Sequence, residues 1–196
     1  MARIRGAEPS QQGTFGGLLT RIVYALTKCK LGRVVMPAQV TAHHPQILWG
    51  YGQMEQSLLS SRRVDTALKD LATLRVATLV GCPFWIDIGS AVSRQNGITP
   101  EKLVALPNYQ ESGLFSPTEK LVLEYATLMT RTPVEVPDAL FAQLREIFNE
   151  PQMVELTATI AWENYRARFD HAFGIEGEGF SEGAFCALPV GAAHRP

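Results

Sequence analysis

Three cysteines in 196 residues, Cys29, Cys82 and Cys186, are too few to brace a fold with disulfides, and the odd count leaves at least one thiol free. Neither sign of charge dominates: 18 Lys and Arg stand against 19 Asp and Glu, a formal net charge of −1. That balance excludes broad electrostatic attraction to nucleic acid or to an acidic membrane surface. No apolar run approaches the roughly 20 residues that span a bilayer. Alternating strand patterns, a GxGxxG turn, a phosphate-binding loop and an internal repeat are all missing. Histidine is scarce, at four residues. The neighbouring His43 and His44 point in different directions and suit a helix entry, and His171 lies near the end of a helix. No Cys/His spacing suggests zinc, so neither a metal nor another cofactor is expected. Arg3 and Arg5 imitate the basic start of a signal peptide. Arg21 and Lys28 then interrupt the apolar stretch and no small-residue cleavage site follows, so the expected compartment is cytosolic.

What the chain does have is apolar residues at helical spacing, 46% hydrophobic against 19% charged. Helices are predicted over 14–28, 45–60, 66–80, 82–95, from Thr99 to about Leu106, 117–131, 137–148 and 151–173. Leu18, Ile22, Ala25 and Leu26 give the first an apolar packing stripe. Asp65 is a good N-cap for 66–80, whose apolar residues wrap most of its surface, as in a central helix. Ser116-Pro117-Thr118-Glu119 reads as a capping box with Pro inside it. The expected fold class is all-α, with seven or eight helices. The expected organisation is a loose leader over 1–13, one helical domain over 14–174 and an irregular tail over 175–196.

Chemistry concentrates between Asp70 and Ser90, DLATLRVATLVGCPFWIDIGS. Cys82 opens a helix, where unpaired backbone N–H groups and the helix dipole favour a thiolate. Asp70 lies about three turns back on the preceding helix, and a crossing at Gly81 would let it approach Cys82. Trp85 shares a face with Cys82, and Asp87 follows on the same helix. The opposing reading makes Cys82 a small buried hydrophobe and Asp70 a surface acid. On the last helix Glu163 and Arg166 pair at i, i+3, and Asn164 and Arg168 at i, i+4, by default on solvated faces.

The stretch LRVATLVGCPFWIDIGSA, the HP-x-ILWGYG opening and the ENYRARFDHAFGIEGEGFSEG ending together resemble the carboxymuconolactone decarboxylase family, which includes the alkyl hydroperoxidase D proteins. The resemblance implies an all-helical protomer that assembles as a dimer, trimer or hexamer, with a site between the central helices. The family's peroxidase motif is an acid, eleven residues, then Cys-x-x-Cys-x-x-x-His. Asp70 falls at the acid and Cys82 at the first Cys, but Trp85 replaces the second Cys and Gly89 the His. An indole neither attacks peroxide nor closes a disulfide, so the ordinary dithiol cycle is not expected. Trp85 either plugs a vestigial site or walls a pocket for a substrate bulkier than peroxide.

The candidate catalytic residues are therefore Asp70 and Cys82. The candidate substrate contacts are Trp85, Asp87, Asn164 and Arg168, the last two raised by a similar Asn and Arg in the family. Three functions follow: acid–base action on, or binding of, a small organic molecule; thiol-dependent peroxide reduction through Cys82 with a distant or external resolving thiol, Cys186 being one choice; and a non-catalytic oligomeric binding protein. The apolar central and last helices carry more apolar surface than a thin protomer buries, so self-association is expected. Light scattering at micromolar concentration should give a mass well above the 21.6 kDa of one chain; a monomer mass would reject this.

Overall fold

The computed structural model describes residues 2–181; Cys186 lies outside them. Nine α-helices and two short 3-10 turns account for the regular structure of the described residues, with no strand. The described residues gather into two compact units, one holding those up to Ser60 with Phe173–Ile175, the other Ser61–Ala172 with 176–181.

The first unit contains α1 (Thr14–Leu31), α2 (Met36–Thr41) and α3 (Pro45–Ser60). Six residues between prolines are too few to show a helical period, which is why α2 escapes the sequence reading. Ala7, Leu19, Ala42 and Leu48 form the core here, joined by Val23 and Tyr24. The Tyr24 hydroxyl donates to the Ala7 carbonyl at 2.7 Å, so part of the expected leader is packed against α1. His44 enters α3 by accepting from the Ile47 N–H at 3.4 Å. The expected packing stripe of α1 is not buried within the protomer. Phe15, Leu18, Ile22 and Leu26 are 77, 58, 49 and 56% exposed, while Gly17, Leu19 and Thr20 turn inward.

The second unit is built around α4 (Thr66–Val80), capped by Asp65, which accepts from Ala67 N–H at 2.8 Å. Leu71 and Leu74 pack with Leu103, Leu106, Phe115 and Leu123. Ala72 and Val76 pack with Val122, Ala126, Leu144, Leu156 and Ile160. Apolar residues all round α4 thus serve two separate clusters, as a buried central helix requires. Gly81, with φ 74°, supplies the left-handed residue that ends α4. The chain reverses there into α5 (Pro83–Gln95), with Pro83 at the first helical position. The short α6 (Pro100–Ala105) follows, then α7 (Pro117–Thr130), whose capping box forms as expected, α8 (Asp138–Ile147) and the long α9 (Glu150–Phe173).

Beneath α9, Glu155 is buried and accepts from Lys69 Nζ at 2.7 Å, Ser61 Oγ at 2.6 Å and Arg63 N–H at 3.0 Å. These contacts hold its carboxyl below the usual range despite burial. They fasten the segment entering α4 to α9.

Close approach of α4 and α5 accounts for Gly89. A Cβ built there would stand 2.9 Å from Cδ2 of the fully buried Leu74, so the Leu74 side chain would have to shift. A histidine at this position overpacks the contact. Gly89→His should cost roughly 1–3 kcal/mol in chemical denaturation. An unchanged stability would show that the two helices yield easily here.

Candidate active site

Burial decides the state of Cys82. The thiol sits at the N-cap of α5 with no exposed surface. Loss of solvent pushes it up to about 12, the charges of Asp170 and Glu163 push the same way, and the backbone N–H groups of Trp85 and Phe84 pull only partly back. The favourable helix N-terminus read from the sequence is therefore present but outweighed, and the thiol stays protonated.

Asp70 does not converge on it. Its Oδ2 accepts from Asn96 Nδ2 at 2.7 Å, and Asn96 caps the opposite end of α5. Thirteen helical residues separate the two ends by about 20 Å. In an antiparallel hairpin an acid twelve residues before Cys82 lies beside the C-terminus of α5. Partial burial raises Asp70, with Asn96 opposing.

The groups that do gather near Cys82 come from α9. Glu163, Arg166 and Asp170 recur at i, i+3 and i+7 and are 0, 8 and 1% exposed. The expected solvated face is thus an inward one. Arg166 donates from Nη2 to Glu163 Oε2. Its guanidinium also lies 3.7 Å from the centre of the Trp85 ring, a cation–π contact in a dry setting. One guanidinium balances only one carboxylate. Asp170 carries the imbalance: burial first and the Glu163 charge second raise it to about 8, with Trp85 and Arg166 opposing. Near neutral pH it holds its proton. Its Oδ2 and the Trp85 indole N–H, although close to one another, both lack a hydrogen bond of good geometry among the described residues. The indole N–H nevertheless faces Asp170 closely enough to hold it down in part.

Trp85 is half-buried and meets Phe84 edge-on, with centroids 5.1 Å apart. Asp87 is fully committed within the protein. Its carboxylate accepts from the N–H groups of Glu178, Phe180 and Ser181 at 2.9, 3.0 and 2.7 Å, and from Ser181 Oγ at 2.6 Å. Although burial alone would raise Asp87, these donors hold it below the usual carboxylate range. Asn164 and Arg168 pair with each other as spaced, but they face the end of α7. Arg168 Nη2 donates to the Thr130 carbonyl at 2.9 Å and Asn164 Nδ2 to Thr130 Oγ1 at 3.1 Å. They satisfy that helix terminus. Among the described residues no cluster of His, Cys, Asp and Glu has the geometry of a metal site, and no helix is long and apolar enough to cross a membrane.

The state of Asp170 is measurable through stability. Its folded value near 8 lies above its unfolded value near 3.8. Between the two, the native chain keeps a proton that the unfolded chain releases, so stability falls as pH rises through this window. Asp170→Asn should abolish that fall. By calorimetry, Tm of the variant relative to the parent should climb by roughly 8–16 °C between pH 5 and 8.5. Parallel curves would show that Asp170 titrates normally.

Residues 45–128 match the sequence profile of the carboxymuconolactone decarboxylase family. Uncharacterized protein YnjA of Escherichia coli (strain K12) is 35% identical over 126 residues, 64% of this chain and 66% of its own length. Uncharacterized protein YdfG of Bacillus subtilis (strain 168) is 32% identical over 112 residues, 57% of this chain and 76% of its own. Among solved structures, the alkylhydroperoxidase AhpD core protein of Ralstonia eutropha JMP134, an uncharacterized peroxidase-related protein, superposes with a TM-score of 0.77 at 19% identity, covering 91% of this chain and 94% of that one. The debrominase Bmp8 superposes at 0.74 with 18% identity, covering 86% and 90%, and another structure of that debrominase is a complex with 2,3,4-tribromopyrrole. At such identities the structural likeness speaks for the fold alone. Its sequence profile and its helical architecture together make this chain a member of the carboxymuconolactone decarboxylase family with an alkyl hydroperoxidase D-like fold.

Proposed function

We propose that this chain acts by acid–base chemistry on a small organic molecule that presents a carbonyl or carboxylate oxygen, with Asp170 as the group that carries the proton. The observation that supports this most strongly is a buried carboxyl, protonated near neutral pH, that lies beside the Trp85 indole N–H and the Glu163–Arg166 pair. An acid whose value lies close to the working pH is suited both to give and to take a proton. Burial first and the Glu163 charge second keep Asp170 protonated, and Arg166 offsets them only in part. The Trp85 indole supplies a flat apolar wall and one N–H donor for the same oxygen. Asp70 and Cys82 recede in this reading, Asp70 by its place on α4 and Cys82 by its protonated thiol. The debrominase with the same fold, solved with a bromopyrrole, is consistent with a substrate larger than peroxide.

A thiol-dependent peroxidase fits less well. It needs a thiolate, and a thiol raised to about 12 supplies almost none at neutral pH. Trp85 also stands where the second thiol of the family's peroxidase motif would be.

Solvent exchange separates the two. A panel of small lactones and oxo acids is incubated in D2O with the protein, and deuterium uptake beside the carbonyl is followed by NMR. At least one member should exchange, with the rate falling roughly 10²–10⁴-fold in Asp170→Asn and persisting in Cys82→Ala. Turnover of an alkyl hydroperoxide with dithiothreitol should stay near background. Sustained peroxide turnover abolished by Cys82→Ser would overturn the proposal.

A further inference from the structure

Following the left-handed Gly174 (φ 63°), the chain runs back from α9 along the first turns of α5. A Cβ built on Gly177 would lie 3.4 Å from Asp87 Cβ and 3.5 Å from the Pro83 carbonyl oxygen, so this segment is in van der Waals contact with the turn that carries Cys82. Phe180 meets Phe84 edge-on, with ring centroids 6.3 Å apart. Glu178 is near enough to Asp170 for its charge to favour the protonated acid. Residues 176–181 therefore form an outer wall of the cluster, and Asp87 holds that wall with four hydrogen bonds. The cluster behind it is closed: Cys82, Glu163 and Asp170 have almost no exposed surface.

We infer that residues 176–181 are a strap that gates entry to the Asp170–Trp85 cluster, and that Asp87 is its latch. The purpose of the gate rests on the reading of this cluster as a substrate site. The latch itself rests on geometry. Its bonds join an ionised acceptor to a short segment that contributes one ring, Phe180, to the packing around Phe84. Charge-assisted bonds of this kind are strong individually, yet a six-residue segment opens at far lower cost than the helical core. A substrate enters and a product leaves when the strap lifts, and closure excludes water from Asp170.

Cys82 serves as a built-in reporter. With Cys29 and Cys186 replaced by Ser, it is the one remaining thiol, and its reaction with methyl methanethiosulfonate follows opening of the wall. Asp87→Asn keeps the shape of the latch but turns an amide donor toward backbone donors. Phe180→Ala leaves the latch intact and removes the ring contact. Each should raise the labelling rate at least about tenfold, with earlier proteolytic cleavage within 176–181 and with Tm within a few degrees of the parent. Ser116→Ala, which breaks the α7 capping box elsewhere in the same unit, serves as a control for general loosening and should leave the rate unchanged.

Unchanged labelling in both folded variants would overturn the gate. So would labelling that rises equally in the capping-box control, since that reports global unfolding. If Asp87→Asn fails to fold, Phe180→Ala and the proteolysis pattern decide. Thiol labelling reads the strap and deuterium exchange reads the chemistry, so failure of one proposal is distinguishable from failure of the other.

Discussion

A carboxylate with no exposed surface must have a cation, and Glu163 has Arg166. Much of the site follows from that requirement. Taking both charges out of water costs several kcal/mol per ion unless the pair is close and its remaining surface is covered. The flat face of Trp85 covers the guanidinium. Arg166 bonds Glu163 and offsets the burial of Asp170 only in part, so the less costly solution is for Asp170 to keep its proton. At Cys82, burial first and the neighbouring carboxylates after it work against a thiolate. Burial, with the Glu163 charge adding to it, thus keeps two further groups on two helices protonated.

Trp85 takes part in this balance through its ring face, which lies against the Arg166 guanidinium. A cysteine there would leave Arg166 without its aromatic face. The glycine at 89 belongs to the same departure from the family's peroxidase pattern: where that pattern carries a histidine, α5 approaches Leu74 too closely for a ring. Loss of the second Cys and loss of the His are therefore tied to positive features, a stacked guanidinium and a tight helix contact.

Asp87 shows how little of a residue's role its chemical type reveals. A carboxylate five residues into the helix that carries Cys82 invites a reading as a substrate contact, yet all four of its hydrogen bonds are to the segment after α9. Asn164 and Arg168 likewise pair as their i, i+4 spacing requires, but the pair closes off the terminus of α7. In both cases the spacing along the helix is legible and the partner on another element is not.

Periodicity and capping residues carried the helices. Asp65, Gly81, Pro83 and the Ser116–Glu119 box act through atoms within a few residues of themselves, so local chemistry sets the ends of α4, α5 and α7. Apolar residues around all of α4 marked it as central before any packing was known, and the stretch around Cys82 was enough to indicate the family. The tertiary structure decided the site. Whether Asp70 faced Cys82 depended on which end of α5 lay opposite α4, a matter of hairpin geometry that spacing leaves open. Whether Glu163, Arg166 and Asp170 faced water or the core depended on the rotation of α9 against its neighbours. A charged stripe at i, i+3, i+7 reads the same in either orientation, and burial alone converts it from a solvated face into a group of coupled acids.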